Sequence, residues 1–173
     1  IPNYKESEEG FAPTLESLAA QANASELPVV LAMGASAPGC RTKAARLLMR
    51  YRVRFGEMFA TYHPAGLHNE TPGKGSNEAW AAREAYRRLI ENAGGDIDRY
   101  TVTSCDADAV FHPAHFEALN YLFLTARDRY RAFWQPSIFN SNNIWDIPAP
   151  LRIPDGLSGI NRPHSWRQVR QSQ

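Results

Sequence analysis

Short apolar runs alternate with amphipathic stretches along most of this chain, and the spacing of each run predicts its structure. Ile1 to Tyr4 reads as the tail of a strand. Glu9 to Ala22 places Leu15, Leu18, Ala19 and Ala22 at helical spacing, with Pro13 or Thr14 near its start. Pro28-Val-Val-Leu-Ala-Met33 is a continuous apolar run of strand length, the pattern of a parallel strand covered on both faces. Gly34 to Gly39 is a loop, Arg41 to Phe55 a helix and Glu57 to Tyr62 a short strand. His63 to Gly75 is irregular and rich in Gly and Pro. A helix follows over Ser76 to Asn92, capped by Ser76 and stopped by Gly94-Gly95. Tyr100 to Cys105 reads as the next strand, Pro113 to Thr125 as a helix and Arg131 to Gln135 as a further strand.

Several β-then-α units in series predict an α/β fold, with helices on both faces of a mostly parallel sheet in three α/β/α layers. In such sheets ligands bind beyond the carboxyl ends of the strands. The pattern changes after Pro136, where Asn140, Asn142, Asn143 and a series of prolines from Pro148 to Pro163 suggest a long loop or wrapping arm. The organisation expected is therefore a domain over 1–135 and a Pro/Asn-rich extension, or incomplete second half, over 136–173. His164 to Gln173 reads as a frayed polar end.

Composition narrows the class. At 173 residues the chain is long enough for a substantial core, and 43% hydrophobic with 21% charged residues is ordinary for a globular protein. A net charge of +1 gives no reason to expect nucleic acid or an anionic membrane as partner. The basic residues cluster, however: Arg41, Lys43, Arg46, Arg50, Arg52 and Arg54 crowd one helical segment, which reads best as a solvated face. Cys40 and Cys105 form neither a metal spacing nor a disulfide framework, which suits a reduced, cytoplasmic compartment. No apolar run has the length of a membrane span.

The chemistry-bearing residues lie where strands end. Asp106 and Asp108 close the run Tyr100 to Cys105, and an unpaired carboxylate at a buried strand tip costs several kcal/mol. Two acids around one alanine suit a hard cation such as Mn²⁺ or Mg²⁺, shared between carboxylates and a substrate phosphate. The plainer reading, a helix-entry cap, fits less well, because Pro113 lies beyond an intervening loop. Gly73-Lys-Gly-Ser-Asn77 precedes a helix, so backbone N–H groups and Lys74 could meet an anion; an ordinary Ser-capped loop is the equal alternative. Tyr4 could stack on a base and Glu6 accept a hydroxyl, although an exposed turn explains both more simply. His112 and His115 flank Pro113 without a zinc pattern, and no nucleophile elbow occurs. Phe133, Trp134, Phe139 and Trp145 read as core.

The order of these motifs resembles the nucleotide-binding half of family 2 glycosyltransferases with the GT-A fold, over roughly residues 1 to 135. The residues that carry it are Pro2-Asn-Tyr4-Lys-Glu6, Thr14-Leu-Glu-Ser-Leu18, Gly73-Lys74 with Asn77, and Asp106-Ala-Asp108 with His112-Pro113. The resemblance implies a nucleotide-diphospho-sugar donor whose diphosphate is bridged by Mn²⁺ or Mg²⁺. It implies that Asp108 holds the metal and that Asp106 meets ribose or metal. Tyr4 and Glu6 would surround base and ribose, and Lys74 and Asn77 would lie near the nucleotide. A carbohydrate or lipid-linked acceptor is implied in turn, with membrane association only through regions outside this chain.

Departures from the family pattern shape the rest of the expectation. Met33-Gly34-Ala35-Ser36 carries no acid where the family contacts the base, and the first strand is represented by its last residues alone. No residue reads as the acceptor base; Asp146 and Asp155 stand isolated among prolines. The chain is thus expected to be a donor-binding part of a transferase. A non-catalytic nucleotide-sugar-binding module and a sugar-phosphate nucleotidyltransferase are the alternatives.

Overall fold

A computed structural model describes residues 1–3, 6–68, 70–71, 73–136 and, for the backbone, 167–170. The chain divides into two compact units, Ile1–Ala118 and Leu119–Gln173. The first is built on a three-stranded parallel sheet in the order β1 (Pro2–Asn3), β2 (Pro28–Gly34), β3 (Glu57–His63). The register pairs Asn3 with Met33 and Met33 with Tyr62, so the carboxyl ends of the three strands share one rim.

The strand faces explain which helix lies where. Val29, Leu31 and Met33 of β2 alternate into a core completed by Phe11, Leu15 and Leu18 of α1 (Glu8–Ala19) and by Ala44, Leu47 and Tyr51 of α2 (Cys40–Tyr51). Fully burying an apolar side chain of this size contributes roughly 1.5–3 kcal/mol. The opposite face belongs to α3 (Lys74–Tyr86), which a π-helical segment extends over Arg87–Asn92. There the Asn77 side chain donates to the Ala32 carbonyl, Trp80 meets His63 edge to face, and Arg88 lies over Phe59. Both crossover helices, α1 and α2, pack on one face, so the two β–α–β connections share one hand. The α/β class and parallel sheet expected from the pattern are therefore present.

Local chemistry sets the helix ends. Ser7, not Pro13 or Thr14, starts α1: its hydroxyl accepts from the Gly10 N–H, and Pro13 sits inside the helix. That leaves Thr14 free to face inward. At α3 the cap is Gly73, with Ser76 in the first turn accepting from the Gly73 N–H at 3.1 Å, so the helix begins earlier than Ser76. Gly94, at φ 70°, returns its N–H to the Ile90 carbonyl and stops the helical run as expected.

Two expectations need correction. Tyr100 to Cys105 is not a strand: residues 101–105 make no backbone hydrogen bond among the described residues. A strand is a pairing rather than a composition, and β1 has only Pro2 and Asn3 in its ladder, both matched to β2. With no neighbour to alternate against, Val102 stands 85% exposed. The second correction lies in the other unit, where Arg167–Arg170 is not a frayed end but a strand, β5, antiparallel to β4 (Ala132–Gln135).

Helix α4 (His115–Thr125) begins in the first unit and continues into the second. In the second unit, Phe123 packs edge to face on Tyr130 and Trp134, whereas Phe133 is exposed rather than core. Phe139 and Trp145 lie outside the described residues. No described helix is long and apolar enough to cross a membrane, and both cysteines are free.

Candidate functional site

The loop after α3 carries the two acids to the carboxyl rim of the sheet. Asp106 and Asp108 are exposed, and Ala107 between them is buried, so the motif turns its alanine inward and its carboxylates outward. Asp106 forms an ion pair with Lys74 from the first turn of α3, although 32 residues separate them. That bond, ahead of the opposing effect of burial, raises the Lys74 pKa above its ordinary value. Glu78, one turn further, lies 3.8 Å from the same ammonium and accepts a 2.7 Å hydrogen bond from the Ser104 hydroxyl. Cys105 is half-buried beside this cluster; burial pushes its thiol up, and the Ile1 ammonium partly opposes the shift.

What fixes this loop is helix α1. Thr14, 0% exposed, donates to the Ala107 carbonyl at 2.6 Å. The Ser17 hydroxyl accepts from the Phe111 N–H at 3.1 Å and itself donates to the Thr14 carbonyl. The Gln21 amide donates to the His112 carbonyl at 3.0 Å and accepts from the Phe116 N–H at 3.3 Å. Thr14 and Ser17 stand at i and i+3 on one stripe of α1, and Gln21 follows just past the helix end. His115 packs edge-on against Phe111 and Phe116, and burial first, then His112, lowers its pKa.

A second polar knot sits at the end of β1. Asn3 is buried; its amide donates to the Glu6 carbonyl and to Glu6 Oε2 at 3.1 Å, and its Oδ1 accepts from Lys43 at 3.1 Å. Lys43 also donates to the Glu6 carbonyl at 2.6 Å, tying α2 to the chain leaving β1. Other basic residues of α2 and of the turn after it are engaged: Arg46 meets Glu8 at 3.0 Å, Arg41 stacks on Tyr62, and Arg54, in the 3-10 turn Arg52–Arg54, meets Glu16 at 2.6 Å. At the rim of β3, His63 Nε2 lies 3.0 Å from Glu70 Oε2.

The sequence-derived candidates thus fall into three places. Lys74 and Asp106 meet directly, with Asp108 on the same loop. Glu6 belongs to the Asn3–Lys43 knot, and Tyr4 lies outside the described residues. Asn77 is 7% exposed and commits its amide N–H to Ala32 at 2.7 Å, fastening α3 to the sheet. Thr14 and Ser17 lie in the Thr14–Leu18 segment that carries the resemblance, but the sequence assigns them no role, and Gln21 is not distinguished at all; neutral hydrogen-bonding side chains among the apolar positions of α1 are the signal. Lys43 and the His63–Glu70 pair had no local signal, because their partners are distant in sequence or sit in an irregular loop.

Chemically, the loop presents hard oxygen donors at a sheet rim beside a cation. No group of three or more metal-ligating side chains occurs among the described residues. The donor set fits a divalent cation held by one or two carboxylates, with phosphate oxygens and waters completing the shell. The chain matches no protein-family model, no curated protein and no solved structure.

Proposed function

We propose that the first unit is a GT-A-like domain that binds a nucleotide-diphospho-sugar through Mn²⁺ or Mg²⁺ for transfer of the sugar to an acceptor. The observation that carries this reading is the meeting of Lys74 and Asp106 beyond the carboxyl rim of a parallel sheet, on a loop that points two carboxylates outward. Asp108, with Asp106, would hold the metal. Lys74 would offer the diphosphate a positive charge once Asp106 turns to the metal. When bound, the metal neutralises charge on the leaving diphosphate. Glu6 and Tyr4, at the end of β1, would face ribose and base.

Calorimetric titration of UDP- and GDP-sugars, in Mn²⁺ and then in EDTA, tests this directly. Binding is expected in Mn²⁺ and is expected to vanish in EDTA and in Asp108→Ala. A wild-type protein that binds no diphospho-sugar in a metal-dependent way would overturn the reading.

A further inference from the structure

We propose that Thr14 and Ser17 of α1, with Gln21 just beyond its end, are positioning residues that do for the acidic loop what a strand neighbour would do. The inference deepens the donor-binding reading and rests on it for its functional consequence.

The geometry is specific. The loop's backbone groups at Ala107, Phe111 and His112, and the Phe116 N–H in the first turn of α4, are each taken up by Thr14, Ser17 or Gln21. Ala107 is the residue between the two acids, and its carbonyl belongs to the peptide that joins it to Asp108, so the Thr14 bond holds the backbone directly before Asp108 and one residue after Asp106. Both ends of that bond are buried. A carbonyl fixed inward at Ala107 sets the peptide plane from which Asp108 departs, relative to the Asp106 that Lys74 already holds. Residues 101–105 before the loop have no ladder to do this, so the side chains of α1 set the spacing of the two carboxylates. A metal shared by two carboxylates is sensitive to that spacing, as outer-shell partners of metal ligands generally are.

The test compares Thr14→Val, which keeps the shape and removes the donor, with Thr14→Ser, which restores it. Leu47→Val, in the core away from the loop, serves as a control for general destabilisation. Affinity for Mn²⁺·UDP is expected to fall about tenfold or more in Thr14→Val, while Thr14→Ser and Leu47→Val stay close to wild type. Unchanged affinity in Thr14→Val, or an equal loss in Leu47→Val, overturns the proposal. Amide hydrogen exchange at Ala109 and Phe111 is read in parallel and needs no ligand. Thr14→Val is expected to speed it about tenfold or more, with the amides of α2 unchanged and Thr14→Ser like wild type. Exchange that does not change overturns the template even where binding does. If wild-type protein fails to bind Mn²⁺·UDP, the donor-binding reading falls while the exchange result still decides the template.

Discussion

The β1–β2–β3 sheet and the acidic loop of residues 106–112 lie in one compact unit, yet different bonds hold them. Every residue of β2 from Pro28 to Gly34 is matched to a partner in β3, and its alternate side chains enter a continuous core. The acidic loop has no ladder among the described residues; Thr14 and Ser17 of α1 and Gln21 just past it take up its backbone instead. A ladder spreads its stability over many equivalent groups, whereas a side-chain clamp concentrates it in a few. The sheet should therefore tolerate the loss of one contact by local repacking. The loop should open when a single hydroxyl is removed, a difference that local hydrogen exchange resolves.

The comparison is most strongly tested in the core. Leu31 is fully buried in the central strand, and Leu31→Ala is expected to cost about 2–5 kcal/mol in denaturant unfolding, with the whole first unit affected. Thr14→Val leaves the Ala107 carbonyl without its buried donor and is expected to cost about 1–3 kcal/mol, with the loop amides affected first. If those amides open only with the global transition, the two regions are one cooperative structure and the contrast fails.

Weaker effects sharpen the same contrast at the surface. The side chains of Lys74 and Asp106 are 52% and 69% exposed, so Asp106→Asn is expected to change stability by no more than about 1 kcal/mol. Its consequence should appear in metal-dependent binding. The raised Lys74 pKa means that the pair's contribution is present below the ordinary lysine range and fades as pH rises through the folded value. Titration of the Lys74 side chain by NMR, in wild type and Asp106→Asn, reads that shift.

The last expected effect is a slope with pH. Burial of His115 against Phe111 and Phe116, and then His112, lowers its pKa. Its contribution is present above the unfolded value of about 6.5 and is lost as pH falls through the lower folded value. Stability should therefore decline through mildly acid pH in wild type and less so in His115→Phe. Equal slopes in the two proteins would remove His115 from the account.

Much of the sheet was legible because its signals are local. The run from Pro28 to Met33 can satisfy its apolar surface only when covered on both faces, and it is the central strand. The helical spacing of Leu15 and Leu18 likewise points to the face that α1 buries. Tyr100 to Cys105 has strand composition but pairs with no strand among the described residues, and composition cannot report whether a neighbour exists. Arg167–Arg170 erred in the opposite direction: its polar residues gave no strand signal, and pairing with β4 makes it one. The site divided in the same way. Asp106, Asp108 and Lys74 could be named from residue type and position, but not the bond between Lys74 and Asp106.

Residues within a few positions of one another were enough to set the alternation of β and α elements, the central apolar strand and the two carboxylates around Ala107. Tertiary structure alone decided which carboxylate meets Lys74, that Asn77 turns to the sheet, and that α1 rather than a strand holds the acidic loop. Those outcomes depend on groups brought together across 32, 45 and 93 residues of chain. Periodicity carries no information across such distances; only packing of the helices onto the two faces of the sheet supplies it.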